Sequence, residues 1–155
     1  MMADVAGVPT RDRRALVAIA VGGVTAGALD LTQAMVLFGS RIPLSIAAGL
    51  LGRSAFRGGA GTYALGVALH FLIALTISAI YYAASRRLTF LVEHPLVSGL
   101  AFGAGVELVM SLVVLPLSAL HARGPYRLYD LILGLVVHML VIGLPIAYSI
   151  RRFAR

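Results

Sequence analysis

Four long apolar runs, joined by short arginine-bearing links, constrain this chain more than any other feature of its sequence. A helix that crosses the hydrocarbon core of a bilayer needs about 20 mostly apolar residues, and four stretches qualify: about 16–38, 63–84, 96–115 and 129–150. The third follows Pro95, a favoured first-turn residue, and reaches Leu115 before Pro116; the fourth stops at Arg151-Arg152. Inside hydrocarbon each backbone amide must be satisfied within its own segment, so the runs form helices. The expected fold is all-α: a single-domain, integral membrane four-helix up-down bundle.

Composition agrees. Of 155 residues, 60% are hydrophobic and 12% charged, whereas soluble domains carry about a quarter charged residues. The net charge of +7 comes from 13 arginines and no lysine. These arginines sit in short clusters between apolar runs, a pattern that anchors helix ends at headgroups. It does not form a phosphate-tracking face, so nucleic acid is not an expected partner. Absence of cysteine removes disulfides, thiolate nucleophiles and iron–sulfur ligation. Absence of lysine removes a Walker-type phosphate loop and Schiff-base chemistry.

The N-terminal region has the outline of a signal peptide, with Arg11, Arg13 and Arg14 before an apolar run and Ala26-Gly27-Ala28 as a cleavage-like site. The run continues to Phe38, so it reads as an uncleaved first span. Arginine counts then set orientation. Arg11, Arg13, Arg14, Arg86, Arg87, Arg151, Arg152 and Arg155 place eight on one side; Arg41, Arg53, Arg57, Arg123 and Arg127 place five on the other. Positive-inside reasoning puts both termini in the cytoplasm of a bacterial inner membrane.

The first link is too apolar for a plain loop and too short to span. Residues 43–56 read PLSIAAGLLGRSAF, with Ile46, Leu50 and Leu51 at helical spacing and Arg53 and Arg57 after them. An amphipathic interfacial helix between spans 1 and 2 is expected, ended by Gly58-Gly59; a re-entrant segment is the alternative. Gly23-x-x-x-Gly27 and Gly99-x-x-x-Gly103 let helix backbones approach closely. Packing within the monomer is the favoured use, a homodimer seam the other. Pro145 frees a carbonyl one turn earlier and is expected to kink the fourth span.

Each span carries one ionisable residue away from its ends: Asp30, His70, Glu107 and His138. From the helical rise, all four fall roughly 10–15 Å below the outer surface. In an up-down bundle the second and fourth helices lie on one diagonal, so the two histidines are expected to approach the axis, with the carboxylates on the other diagonal. A charge at this depth costs several kcal/mol unless paired or hydrated. The leading reading is therefore a carboxylate–histidine network that pins the bundle. Thr25, Thr32 and Gln33 add polar atoms on the first span. One alternative is a haem or transition-metal site with His70 and His138 as ligands, although no Glu-x-x-His pair of the di-iron type accompanies them. Another is a proton or ion pathway through the same four groups. His94 and His121 read as solvated link residues on opposite sides, and Asp130 as a residue favoured by the helix dipole. The glycines between 99 and 105 lie within an apolar span and suit helix packing, not a phosphate cradle.

Several strings resemble a group of small bacterial inner-membrane proteins of uncharacterised function. They are Thr25-Ala26-Gly27-Ala28-Leu29-Asp30, Ala48-Gly49-Leu50-Leu51-Gly52-Arg53, Leu69-His70-Phe71, Tyr81-Tyr82-Ala83-Ala84-Ser85-Arg86-Arg87 and Val114-Leu115-Pro116-Leu117-Ser118. The resemblance covers most of the chain from about residue 20. It implies an inner-membrane location and supplies no activity, substrate or catalytic residue. The expected function is non-enzymatic: a structural or accessory component of a membrane complex. The lipid bilayer, other membrane subunits or a second copy are the partners its surfaces allow. A small proton- or ion-coupled transporter is the second alternative after haem or metal binding.

Overall fold

The computed structural model describes residues 10–124 and 127–153; Arg155 and the side chain of Arg11, both used above for orientation, lie outside the described residues. Among those residues there is no strand. We label the helices α1 (Thr10–Phe38), α2 (Ile42–Leu51), α3 (Ala60–Ser85), α4 (Pro95–Leu117) and α5 (Leu128–Phe153). All except α2 are long and apolar enough to cross a membrane. At a 1.5 Å rise, the 26 residues of α3 extend about 39 Å, beyond the ~30 Å hydrocarbon core. In the most apolar window of each spanning helix only 17–28% of residues are buried within the protein. Leu16, Leu72, Leu112 and Leu117, all more than 60% exposed, need an apolar surrounding that the chain does not supply.

The chain ends its helices where its residues dictate. At Gly39 the backbone turns left-handed (φ +97°), and its N–H donates to the Met35 carbonyl at 2.9 Å, which closes α1. Pro43 and Pro95 occupy first-turn positions of α2 and α4, where a missing N–H costs nothing. α4 and α5 are not uniform. Each contains a wide π turn, Met110–Val114 in α4 and His138–Gly143 in α5, and each turn is followed directly by Leu-Pro: Leu115-Pro116 and Leu144-Pro145. A proline ring collides with the carbonyl four residues back; a wider turn moves that carbonyl aside. The proline in α5 is thus accommodated by a wide turn, and α4 runs through Pro116 to Leu117.

Three seams between spanning helices are closed: α1 on α3, α1 on α5, and α4 on α5. Small residues make this possible. A Cβ on Gly23 would come within 2.9 Å of Leu75 Cα, and one on Gly27 would touch Phe71 and Ala74. Gly99 faces Gly143 and Ala147; a Cβ on Gly103 would overlap the His138 carbonyl. All four glycines therefore lie in helix contacts within one chain. Without a hydrophobic drive between helices in lipid, such close van der Waals contact is what holds them together. The core cluster of Ala18, Ala26, Tyr81, Val106, Ile142, Ile146, Ala147 and Ile150 joins all four spanning helices.

The fourth seam, between α3 and α4, is different. The two are tied at the end of the bundle where α1 begins and α5 ends, where the Tyr81 hydroxyl lies 2.9 Å from both the Leu91 carbonyl and Ser98 Oγ. Farther along, a groove of about 610 Å³ separates them, lined on one side by Leu72, Ile73 and Ile80 and on the other by Ala101, Gly105 and Val109. α2 fills no part of this groove. It buries Pro43, Leu44, Ala47 and Ala48, with the Pro43 carbonyl seated on Gly66 of α3. The Gly49 carbonyl accepts from the Ala119 N–H at 2.8 Å. Leu50 and Leu51 point outward, 60% and 48% exposed.

Candidate functional site

The four intramembrane ionisable groups form two imidazole–carboxylate pairs, each across one closed seam. On α1 and α3, His70 Nε2 lies 2.8 Å from the Gly27 carbonyl. A carbonyl only accepts, so this nitrogen carries the proton. The same atom is 3.9 Å from Asp30 Oδ2, within ion-pair reach but long for a hydrogen bond. Gly27 has no side chain to hold off the imidazole or the Phe71 ring, whose edge meets His70 at 5.6 Å between centroids. Gln33 Nε2 donates to Asp30 Oδ1 at 3.4 Å, and Gln33 Oε1 is buried with no partner among the described residues.

On α4 and α5, His138 Nδ1 lies 3.0 Å from Glu107 Oε2 and 2.9 Å from the Gly134 carbonyl. One N–H is shared between these two acceptors. Ser111 Oγ donates to Glu107 Oε1 at 2.8 Å, so both carboxylate oxygens are engaged. Gly134 makes room for this arrangement, since a Cβ there would sit 2.6 Å from Oε1. Glu107 is buried, with 8% of its surface exposed. The pair sits where both helices widen: His138 opens the π turn of α5, and Ser111 lies in that of α4.

The two pairs stand at similar height. Gly22 of α1 packs on Ile146 of α5, and the stretch from Gly22 to Asp30 is matched by that from Ile146 back to His138. The π turn of α5 touches α1 as well as α4. Yet no hydrogen bond or ion pair joins Asp30 or His70 to Glu107 or His138 among the described residues. No three of His, Asp and Glu there gather around a point that could hold a metal ion. Each imidazole is thus bonded at its own seam, His70 between α1 and α3 and His138 between α4 and α5.

Chemically, the pairs differ. His138 has its Nδ1–H held by a carboxylate and a carbonyl, which fixes the ring and leaves Nε2 outside both contacts. His70 has its Nε2 committed to Gly27. A haem or metal reading of His70 and His138 needs both rings on one centre, with His138 coordinating through Nε2, since its Nδ1 is engaged by Glu107 and Gly134. His94 and His121 are exposed link residues. Asp130 lies in the first turn of α5, also exposed. Ser111, Gly134 and the Gly27 carbonyl complete the pairs and have no sequence signature of their own. Neither protein families, nor characterised proteins, nor solved structures give a match to this chain.

Proposed function

We propose that the chain is a non-enzymatic structural or accessory component of a bacterial inner-membrane assembly, with both termini in the cytoplasm. The observation that carries this reading is the unfilled α3–α4 seam. Gly99 and Gly103 are consumed by packing on α5, whereas Ala101 and Gly105, four residues apart on the neighbouring face of α4, are exposed along the groove. A Cβ on Gly105 would meet nothing within 4 Å. This is a small-residue approach surface with no helix on it, flanked by Leu72, Ile73 and Ile80 of α3. A transmembrane helix of another subunit fits that description. The ionisable pairs serve the bundle: each joins two helices, and in the Glu107 pair both carboxylate oxygens are engaged. Cytoplasmic termini rest on the eight-to-five arginine asymmetry.

A photo-crosslinking residue at Ile80, in the native membrane, is expected to give one discrete protein adduct that the same residue at Val36 does not give. Gly105→Ile should abolish that adduct while leaving the unfolding transition of the purified protein in place. Adducts at neither position, or equal adducts at both, would contradict the accessory reading.

A further inference from the structure

The two carboxylates inside the bundle are not equally satisfied. Both oxygens of Glu107 have close donors, Ser111 Oγ at 2.8 Å and His138 Nδ1 at 3.0 Å. The contacts of Asp30 are longer: Gln33 Nε2 lies 3.4 Å from Oδ1, and His70 Nε2 lies 3.9 Å from Oδ2 with its proton directed to the Gly27 carbonyl at 2.8 Å. Gln33 Oε1 is buried and has no hydrogen-bond partner among the described residues. Turning the Gln33 amide over does not cure this. It would set Oε1 against Asp30 Oδ1 and strand the N–H in the same buried place. Three acceptor oxygens therefore share two nitrogens, neither at good hydrogen-bonding distance.

We propose that one water molecule is bound between Asp30 and Gln33 at the α1–α3 seam, donating one O–H to the carboxylate and the other to Gln33 Oε1. Water brings the two donors that these side chains need. The amide plane holds Oε1 about 2.3 Å from Nε2, so Oε1 lies no more than about 5.7 Å from Asp30 Oδ1. One water spans that gap with two bonds of about 2.8 Å. Access is also present. Asp30 keeps 15% of its side-chain surface exposed about 12 Å along the helix from the end of α1, where contact with hydrocarbon alone is costly for a carboxylate. Between Asp30 and that end, the Tyr63 hydroxyl donates to the Met35 sulfur at 4.0 Å, a weak acceptor that leaves a second polar group on the route. A hard cation fits less well, since it takes about six or more oxygen ligands. The Asp30 pair is thus hydrated and exchanges with solution, and the Glu107 pair is dry.

The test is magic-angle-spinning NMR of the full-length protein in lipid bilayers, reading polarisation passed from water protons to ¹³C-labelled side-chain carboxyl and amide carbons at short mixing times. The chain has a single glutamine, so the amide signal reports on Gln33 alone. The Asp30 and Gln33 signals are expected to grow together with that of the exposed Asp130, and the Glu107 signal to lag behind all three. Gln33→Leu should lower the Asp30 signal to the level of Glu107 and leave Glu107 unchanged. The comparison of Asp30 with Glu107 in the unaltered protein decides the matter even where this variant does not fold. Growth at Asp30 as slow as at Glu107 would overturn the proposal. Fast growth at Asp30 that survives Gln33→Leu would overturn the bridge between the two side chains. Exchange of sodium for choline at constant ionic strength should leave both signals in place, and a shift confined to Asp30 and Gln33 would overturn water as the ligand in favour of a cation.

Discussion

A methyl group at Gly134 would press against Glu107 Oε1 and displace the carboxylate from His138; one at Gly105 would meet open space. Gly134→Ala is therefore expected to cost about 1–3 kcal/mol, and Gly105→Ala to be neutral or slightly stabilising through helix propensity. Unfolding of the detergent-solubilised protein compares the two, and equal effects would show that Glu107 does not occupy its observed place. Glu107→Gln preserves shape and can still accept from His138, so its cost should stay near 1 kcal/mol or below. Glu107→Leu leaves the His138 N–H with one acceptor fewer and the Ser111 hydroxyl without the carboxylate, and should cost about 1–3 kcal/mol. Asp30, His70, Glu107 and His138 are legible in the sequence because an ionisable group within an apolar run has few ordinary explanations. Ser111 and Gly134 are not, because serine and glycine occur in spanning helices for many packing reasons.

The wide turns of α4 and α5 couple the ionisable groups to the helices that carry them. A π turn shifts the residues before it relative to those after it by about one position, or roughly 100°. In α5 the turn separates His138 from Ile146 and Ile150, which are fixed in the core. Pro145→Ala restores an N–H and lets 138–143 wind more tightly, which should rotate His138 away from Glu107. In NMR spectra of the ¹⁵N-histidine-labelled protein this substitution should move the His138 ring signals and leave those of His70 unchanged. A shift confined to neither ring, or to His70, would show that the turn does not set the pairing. The spanning helices themselves are readable from apolar length alone. So is a helix after the first span, but not which face of α2 meets α3: its buried Pro43, Leu44, Ala47 and Ala48 and its outward Leu50 and Leu51 are all apolar, so hydropathy does not separate the two faces. The proline in α5 is readable as a disturbance, whereas the wide turn before it, which ends where Gly143 packs on Gly99 across the seam, has no sequence signal of its own.

For the molecule as a whole, short links suggest that each helix packs on its sequence neighbour, and α3 and α4 depart from this. They are held together at one end by Tyr81, Ser98 and the Leu91 carbonyl, and the seam beyond them is an open apolar groove. Sequence pattern could not reveal this, because the residues lining an open apolar groove are of the same kinds as those lining a closed one. Orientation is testable with little background, since the chain has no cysteine. A cysteine replacing Arg123 should react with a membrane-impermeant maleimide added outside cells with a permeable outer membrane, and one replacing Arg87 should not. The reverse pattern would invert the topology. The claim that the four intramembrane ionisable groups act as two separate fasteners is tested most directly by double-mutant cycles on unfolding free energy. Coupling within Glu107–His138 should be about 0.5–2 kcal/mol, and coupling between Asp30 and His138 should be below about 0.5 kcal/mol. An Asp30–His138 coupling as large as that within Glu107–His138 would contradict it and make the four groups a single network.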